Sequence, residues 1–373
     1  MLPAPSPCGP PHRVSLPGGA EGWLVTRHAD ARAVLADPRF VRDPARVARL
    51  RGHPVPHDGR ARTLLHLDAP EHTWVRRAVN PAFTARRAER HGSLIDELAA
   101  TLVERCQGSG RADLVCDLAV PLAVGVLCEV VGLPPGDHAR FGPFVRQVHR
   151  IDGGAEAGRR TLEAIDALDR YLRERMAAGA TGVLGELAGA DRLTADELLA
   201  FGRDLLVGGY ESTANLISGG LALLLAEPAR HERLRRDPGL VDAVVEECLR
   251  QVAPFPLLEA RYAADEVEVG GAVFGRGDAV VVDVAAANRD PDRFTAGAGW
   301  DPDGAAGHLS FGHGAHHCLG AVLARREAQA AFRAVLAFDG LRLGCAPDEL
   351  VWDPGLSPTL RALPVRFTPR ADA

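Results

Sequence analysis

Cys318 is the residue of this chain best placed to do chemistry. It lies in the run Phe311-Gly312-His313-Gly314-Ala315-His316-His317-Cys318-Leu319-Gly320, seven residues after an aromatic and among three glycines. The spacing of Leu319, Val322, Leu323, Phe332, Val335 and Leu336 puts them on one helical face and predicts a helix over 318–338. A helix N-terminus offers positive partial charge and free N–H donors, which lower a thiol pKa and hold it as the thiolate. Glycines let the backbone pass close to a flat ligand with no Cβ in the way. The pattern is that of a buried thiolate ligand. Zinc is the competing reading, because His313, His316, His317 and Cys318 are all residue types that bind it. The seven cysteines (8, 106, 116, 128, 248, 318 and 345) contain no Cys-x-x-Cys pair, which counts against zinc.

A second group breaks local rules. Thr194-Ala195-Asp196-Glu197 has the form of a capping box, and no proline follows before Pro228, so one long unbroken helix is expected over 195–226. In its middle stands Gly208-Gly209-Tyr210-Glu211-Ser212-Thr213. Glycine weakens a helix, and a carboxylate among apolar neighbours is costly. Such violations mark functional sites, although Ser212 and Thr213 could simply bond back to carbonyls of the preceding turn. A third feature is Glu247-Cys248-Leu249-Arg250, whose outer members share one helix face at i, i+3. Alone, such a pair contributes well under about 1 kcal/mol.

The cysteine run fills every required position of Phe-x-x-Gly-x-x-x-Cys-x-Gly, and in this the chain resembles the cytochrome P-450 family. The resemblance implies haem b (iron protoporphyrin IX), with Cys318 as the axial thiolate that favours O–O cleavage, and O2 as co-substrate. It implies that Phe311, Gly312, His316 and Gly320 shape the haem site and that Gly208 and Gly209 give oxygen room. Glu211 becomes the acid and Ser212 the alcohol of a proton relay, with Thr213 as a further alcohol. The family has Thr where Ser212 stands, and serine lacks the β-methyl that stiffens χ1. His72, Arg76, Arg261 and His316 fall where the family holds the haem propionates. Glu247 and Arg250 match a buried structural pair that a third arginine completes; Gly299 occupies its place, leaving Arg289 or Arg293 to substitute. The implied substrate pocket involves the loop before His72 together with Asp204, Val207, Gly208, Phe255, Leu257, Leu258 and the turn at Leu356. An Asp204 that faces that pocket needs a partner, such as a cationic or hydrogen-bond-donating substrate.

The elements that must position these residues are mostly helical. Helices are expected at about 86–106, 113–131, 136–149, 156–178, 195–226, 239–251 and 318–338, with another around His72 and Arg76. A β-hairpin is expected at Val14 to Leu16 and Trp23 to Val25 about a Pro-Gly-Gly turn, and further strands between Asp265 and Val284. The reading is one mainly α domain with small β-sheets, residues 1–373. A chain of 373 residues can bury about 75% of its unfolded surface. The net charge of −6 gives no support for a nucleic-acid partner. All 43 basic residues are Arg, a bias associated with high-GC bacterial genomes. The odd cysteine count and the lack of a leader point to a reducing cytoplasm. Leu205 to Leu225 is long enough to span a membrane, but Glu211 and Asn215 near its middle favour a buried helix.

The resemblance further implies a monomer without a fused reductase, taking electrons from ferredoxin and an NAD(P)H-dependent ferredoxin reductase. It would hydroxylate or otherwise oxidise a small organic molecule of bacterial secondary metabolism, as in antibiotic biosynthesis. The alternatives are oxidative C–C/C–N coupling or ring formation without oxygen insertion, and a non-catalytic haem sensor, which would need no Glu211-Ser212 pair.

Overall fold

Glu211–Leu225 is the helix around which the others are arranged, and every residue in it except Ser212 and Leu223 is buried. It packs against Val241–Val252, Ala321–Ala334 and Val120–Val131. Small residues permit the close approach: a Cβ on Gly220 would stand 2.8 Å from the Phe332 ring and 3.0 Å from Cys248 Cβ. The computed structural model describes residues 5–16, 20–53, 62–150, 155–190 and 192–370. The expected Pro-Gly-Gly turn, residues 17–19, lies outside them, as does part of the loop before His72.

The architecture is mainly α with small sheets, as expected. A large core links the helices from Leu64 to the C-terminal strands, and a smaller one lies beneath the sheet. That sheet runs His12–Ser15, Glu21–Val25, Ala279–Val282, Arg261–Ala263 and Phe40–Val41. Its hairpin pairs Ser15 with Glu21, and Val280 lies opposite both Trp23 and Arg261. Gly270 and Gly271, both at positive φ, turn the separate hairpin Val267–Val269/Ala272–Phe274.

Several boundaries differ from expectation. The long helix is two, Ala195–Gly209 and Glu211–Leu225, broken at Tyr210 with φ −121°. The capping box is present: Thr194 Oγ1 accepts from the Glu197 N–H at 3.2 Å, and the Thr194 N–H reaches Glu197 at 2.8 Å. The break follows Gly208-Gly209, where the backbone has least preference for helix. The helix after the cysteine starts at Ala321 rather than Cys318: the backbone at His317 is still non-helical, with ψ 137°, and the Cys318 N–H closes the loop onto the Phe311 carbonyl at 2.8 Å. Val322, expected on the buried face, is 40% exposed. Helices His28–Ala36, Pro44–Leu50, Gly182–Gly189 and Pro228–Arg236 were not expected. Each is shorter than the window over which a helical period becomes legible.

Gly220→Val should overpack the contact with Phe332 and Cys248 and destabilise the fold by about 1–3 kcal/mol. The denaturation midpoint in urea reads this, and an unchanged midpoint would contradict the packing.

Candidate active site

The cysteine loop is built on backbone geometry. Gly312 and Gly314 adopt φ of +69° and +74°, and a Cβ on Gly314 would strike the Leu35 carbonyl at 2.6 Å. Phe311 is clamped by the Arg325 guanidinium, 4.5 Å above its ring. Arg325 is in turn held by Glu246 at 2.6 Å, and His308 contacts the same carboxylate at 3.3 Å. Cys318 is exposed, yet protein surrounds it, so its free surface faces an internal space. The expected depression of its thiol pKa is overturned. Burial pushes the thiol up, and the Gly320 N–H, Arg76 and Arg325 only partly oppose it. With the helix starting at Ala321, the loop brings one N–H to the sulfur rather than a full helix terminus.

Beside the loop, positive groups crowd together. His72 and His316 are in ring contact at 4.3 Å. Arg76 donates to the His317 carbonyl at 2.7 Å and to Asn80 at 2.8 Å. Arg261 is buried and has no acceptor among the described residues. Burial, then the neighbouring Arg42, brings its pKa down to about 10, with Asp68 opposing. Burial together with Arg42, His72, Arg261 and Arg76 pushes His316 down to about 2. His72 Nε2 is buried without a partner. The structure brings together all four residues expected at the propionates, and adds Arg42.

Across the internal space the distal residues divide. A Cβ on Gly208 or on Gly320 would meet nothing within 4 Å. Gly209 does not share that opening, because its Cβ would stand 2.6 Å from Leu127 Cδ1; its role is close helix packing. Ser212 donates back to the Gly208 carbonyl at 3.0 Å, and Thr213 is buried. Glu211 is buried, bonded through Oε2 to His149 Nδ1 and through Oε1 to the Tyr210 hydroxyl at 3.3 Å. Asp204, expected to face the pocket, instead accepts the Leu64 N–H at 2.7 Å, so it ties the 64–66 turn to the Ala195–Gly209 helix. Burial raises its pKa to about 6, against the lowering effects of Thr63, His66 and Leu64. The other pocket residues are Val207, Phe255, Leu258 and Leu356, all half-buried, and Leu257, 47% exposed. Of these, Phe255 and Leu356 meet at His149.

Glu247 and Arg250 form a bidentate pair at 2.7 Å for each bond, 0% and 1% exposed. Among the described residues no third arginine completes it. Arg289 bonds the Ala285 and Gln251 carbonyls and Arg293 that of Ala306, while Gln251 Nε2 at 3.1 Å and the Asp301 N–H at 3.0 Å donate to Glu247 instead. Arg250 also pins the carbonyls of Asn288, Gly297 and Gly299. His149, Tyr210, Arg42 and Gln251 were not singled out from sequence; nothing in their spacing marks them.

These features fit a haem. Among the described residues no group of three or more His, Cys, Asp and Glu could hold a bare metal ion, whereas one thiol facing an open space matches axial ligation of an iron already bound in a ring. The orphaned His72 Nε2 and unpaired Arg261 match two propionates, and the missing side chains of Gly208 and Gly320 leave room for a flat ring.

The model of the cytochrome P-450 family matches residues 239–338, from the Glu247-Arg250 helix through the cysteine helix. The chain is 38% identical over 371 residues to the cytochrome P-450 monooxygenase PikC of Streptomyces venezuelae, covering 96% of this chain and 88% of that one. It is 40% identical over 365 residues to the nocardicin C N-oxygenase of Nocardia uniformis subsp. tsuyamanensis, covering 93% and 89%. Among solved structures it superposes on the cytochrome P-450 enzyme CxnD, for C–S bond formation in chuangxinmycin biosynthesis. There the TM-score is 0.86 and identity 28%, over 97% of this chain and 92% of that one. Among the described residues no helix is long and apolar enough to cross a membrane.

The raised pKa of Asp204 has a testable sign. A carboxyl whose folded pKa lies above its unfolded value stabilises fully below the unfolded value, near 3.8, and loses that contribution as pH rises through about 6. Asp204→Asn keeps an acceptor for Leu64 but does not titrate. Its stability relative to the parent should therefore rise by about 1 kcal/mol or more between about pH 5 and pH 7.5. Denaturation at the two pH values checks this; a constant difference would contradict it.

Proposed function

The chain belongs to the cytochrome P-450 family of haem monooxygenases, and we propose that it inserts oxygen into a small organic molecule of bacterial secondary metabolism, such as an antibiotic precursor. The observation that carries the site assignment is the juxtaposition of Cys318, facing an enclosed space, with the guanidinium groups of Arg76 and Arg261 and the imidazoles of His72 and His316, whose pKa values burial pushes down. In this reading Cys318 would hold the iron of haem b, and those four residues would hold its propionates. When bound, it supplies the reductive activation of O2 and the oxidation of substrate.

The chain's own residues do the rest. Phe311 and Gly312 fix the loop, while the Gly320 N–H, Arg76 and Arg325 stabilise negative charge on Cys318. Glu211 holds a proton-transfer position beside Ser212. The Ser212 hydroxyl donates to the Gly208 carbonyl, and lacking a β-methyl it rotates readily toward the internal space. Thr213 is the second alcohol. Electrons come from a separate ferredoxin and its NAD(P)H-dependent reductase, in the cytoplasm, to a monomer that acts as a single domain over 1–373. The names of the nocardicin C N-oxygenase and the PikC monooxygenase support oxygen insertion. The likeness to CxnD supports a second reading, oxidative bond or ring formation without oxygen insertion.

A library of polar natural products, screened for a low-to-high-spin shift of the ferric Soret band, identifies the substrate, and product analysis separates the two readings. Removing a cation from a partly buried ionic site costs on the order of 1–3 kcal/mol. Arg76→Ala and Arg261→Ala should therefore purify with less haem than Arg46→Ala, whose ion pair with Asp68 is long, at 3.9 Å, and 43% exposed. Equal occupancy in all three would sink the propionate assignment. With the compound giving the largest spin shift, Ser212→Ala should bind and accept electrons normally but release more hydrogen peroxide per NADH. Relay groups typically contribute about 10²–10⁴-fold. Full coupling in Ser212→Ala with loss in Thr213→Ala would move the role to Thr213.

A further inference from the structure

Glu211 is held by a residue that no sequence motif marks. His149 caps the helix His138–Val148 and is 6% exposed. Its Nδ1 bonds Glu211 Oε2; an ionised carboxylate only accepts, so opposite an ionised Glu211 the Nδ1–H is the donor. Its ring stands edge-on to Phe255 at 5.9 Å, and its carbonyl accepts the Leu356 N–H at 3.2 Å. His149 thus joins the N-terminus of the Glu211–Leu225 helix to two segments of the pocket wall.

The remaining groups that face the pair come from the same two elements. Tyr210, at the start of the Glu211 helix, donates to Glu211 Oε1 at 3.3 Å. Arg146 reaches the Tyr210 hydroxyl from the His138–Val148 helix, and His138 packs edge-on to the Tyr210 ring at 5.1 Å. His138 and His149 are eleven residues apart, three helical turns, so they lie on one face. That helix therefore presents an imidazole, a guanidinium and a second imidazole to a tyrosine and a carboxylate.

We propose that His149 is the positioning residue for Glu211: it holds the carboxylate in one orientation, and so sets the geometry from which Glu211 serves Ser212. The proposal rests on the reading of Glu211 as the acid of the relay. A free glutamate samples several rotamers. With both oxygens bonded, at Nδ1 and at the Tyr210 hydroxyl, this one is confined. The distal helix and the pocket wall then move together, because Phe255 and Leu356 rest on the same histidine.

The test has a spectroscopic arm and a kinetic arm, both on the holoenzyme. In the diamagnetic ferrous–CO form, ring-labelled histidine N–H signals are recorded by NMR, with His149 assigned from its loss in His149→Asn. A charge-assisted hydrogen bond is shorter and stronger than a neutral one, so Glu211→Gln should move the His149 Nδ1–H signal upfield and speed its exchange with solvent. An unchanged signal overturns the proposal. The kinetic arm uses the compound with the largest spin-state shift and reads hydrogen peroxide released per NADH. His149→Phe keeps a ring but no donor and should release several-fold more peroxide, with haem content unchanged. His149→Asn, whose amide N–H can replace Nδ1–H, should restore coupling toward the parent. If His149→Phe couples like the parent while Glu211→Gln does not, the positioning role falls and the relay stands. If Glu211→Gln is itself fully coupled, the relay reading falls and the inference with it. Should His149→Phe fail to fold, the NMR comparison decides alone.

Discussion

Like charges enclosed in protein repel one another more strongly than in water, and in this fold they are gathered on purpose at one place. Arg76 and Arg261, with Arg42 behind them, converge beside the cysteine loop with the imidazoles of His72 and His316; Asp68 opposes Arg261, and Glu259 pairs with Arg42. Arg261 is depressed to about 10 and His316 to about 2, both first by burial and then by neighbouring cations. An anion among them would offset that repulsion, and in the proposed reading two haem propionates would supply it beside Cys318.

The remainder of the architecture walls in the space between that cluster and Cys318. Glu211–Leu225 and Ala321–Ala334 are in contact at Gly220 and Phe332, yet packing is open at Gly208 and Gly320. Asp204 ties the distal side to the 64–66 turn, and Arg76 ties the next helix to the carbonyl beside the cysteine. The buried Glu247–Arg250 pair anchors the segment that leads to the loop. A group this buried is costly to desolvate, and its hydrogen-bonding capacity is met by five backbone and amide partners rather than by another charge.

Sequence carried the fold class and the loop because both are local patterns: long helical periods, and an aromatic, glycines and a cysteine at fixed offsets. The grouping of His72, Arg76, Arg261 and His316 follows from family position alone. What the chain does not spell out is everything decided across space. Gly208 and Gly209 look alike in sequence, but one faces an opening and the other meets Leu127. Asp204 binds a backbone N–H 140 residues away, and His149 meets Glu211 across 62 residues. Gln251 replaces an arginine that the family supplies from elsewhere in the chain. The break at Tyr210 was hidden because glycine permits a helix as well as a kink, and only the neighbours of Glu211 decide.

The most direct test of thiolate ligation is the absorption spectrum of the dithionite-reduced protein with carbon monoxide. The account predicts that the parent shows the red-shifted Soret band of a thiolate-ligated haem and that Cys318→Ala, reconstituted with haem, lacks it. A parent without that band, or a Cys318→Ala variant that keeps it, would contradict the assignment on which the site depends.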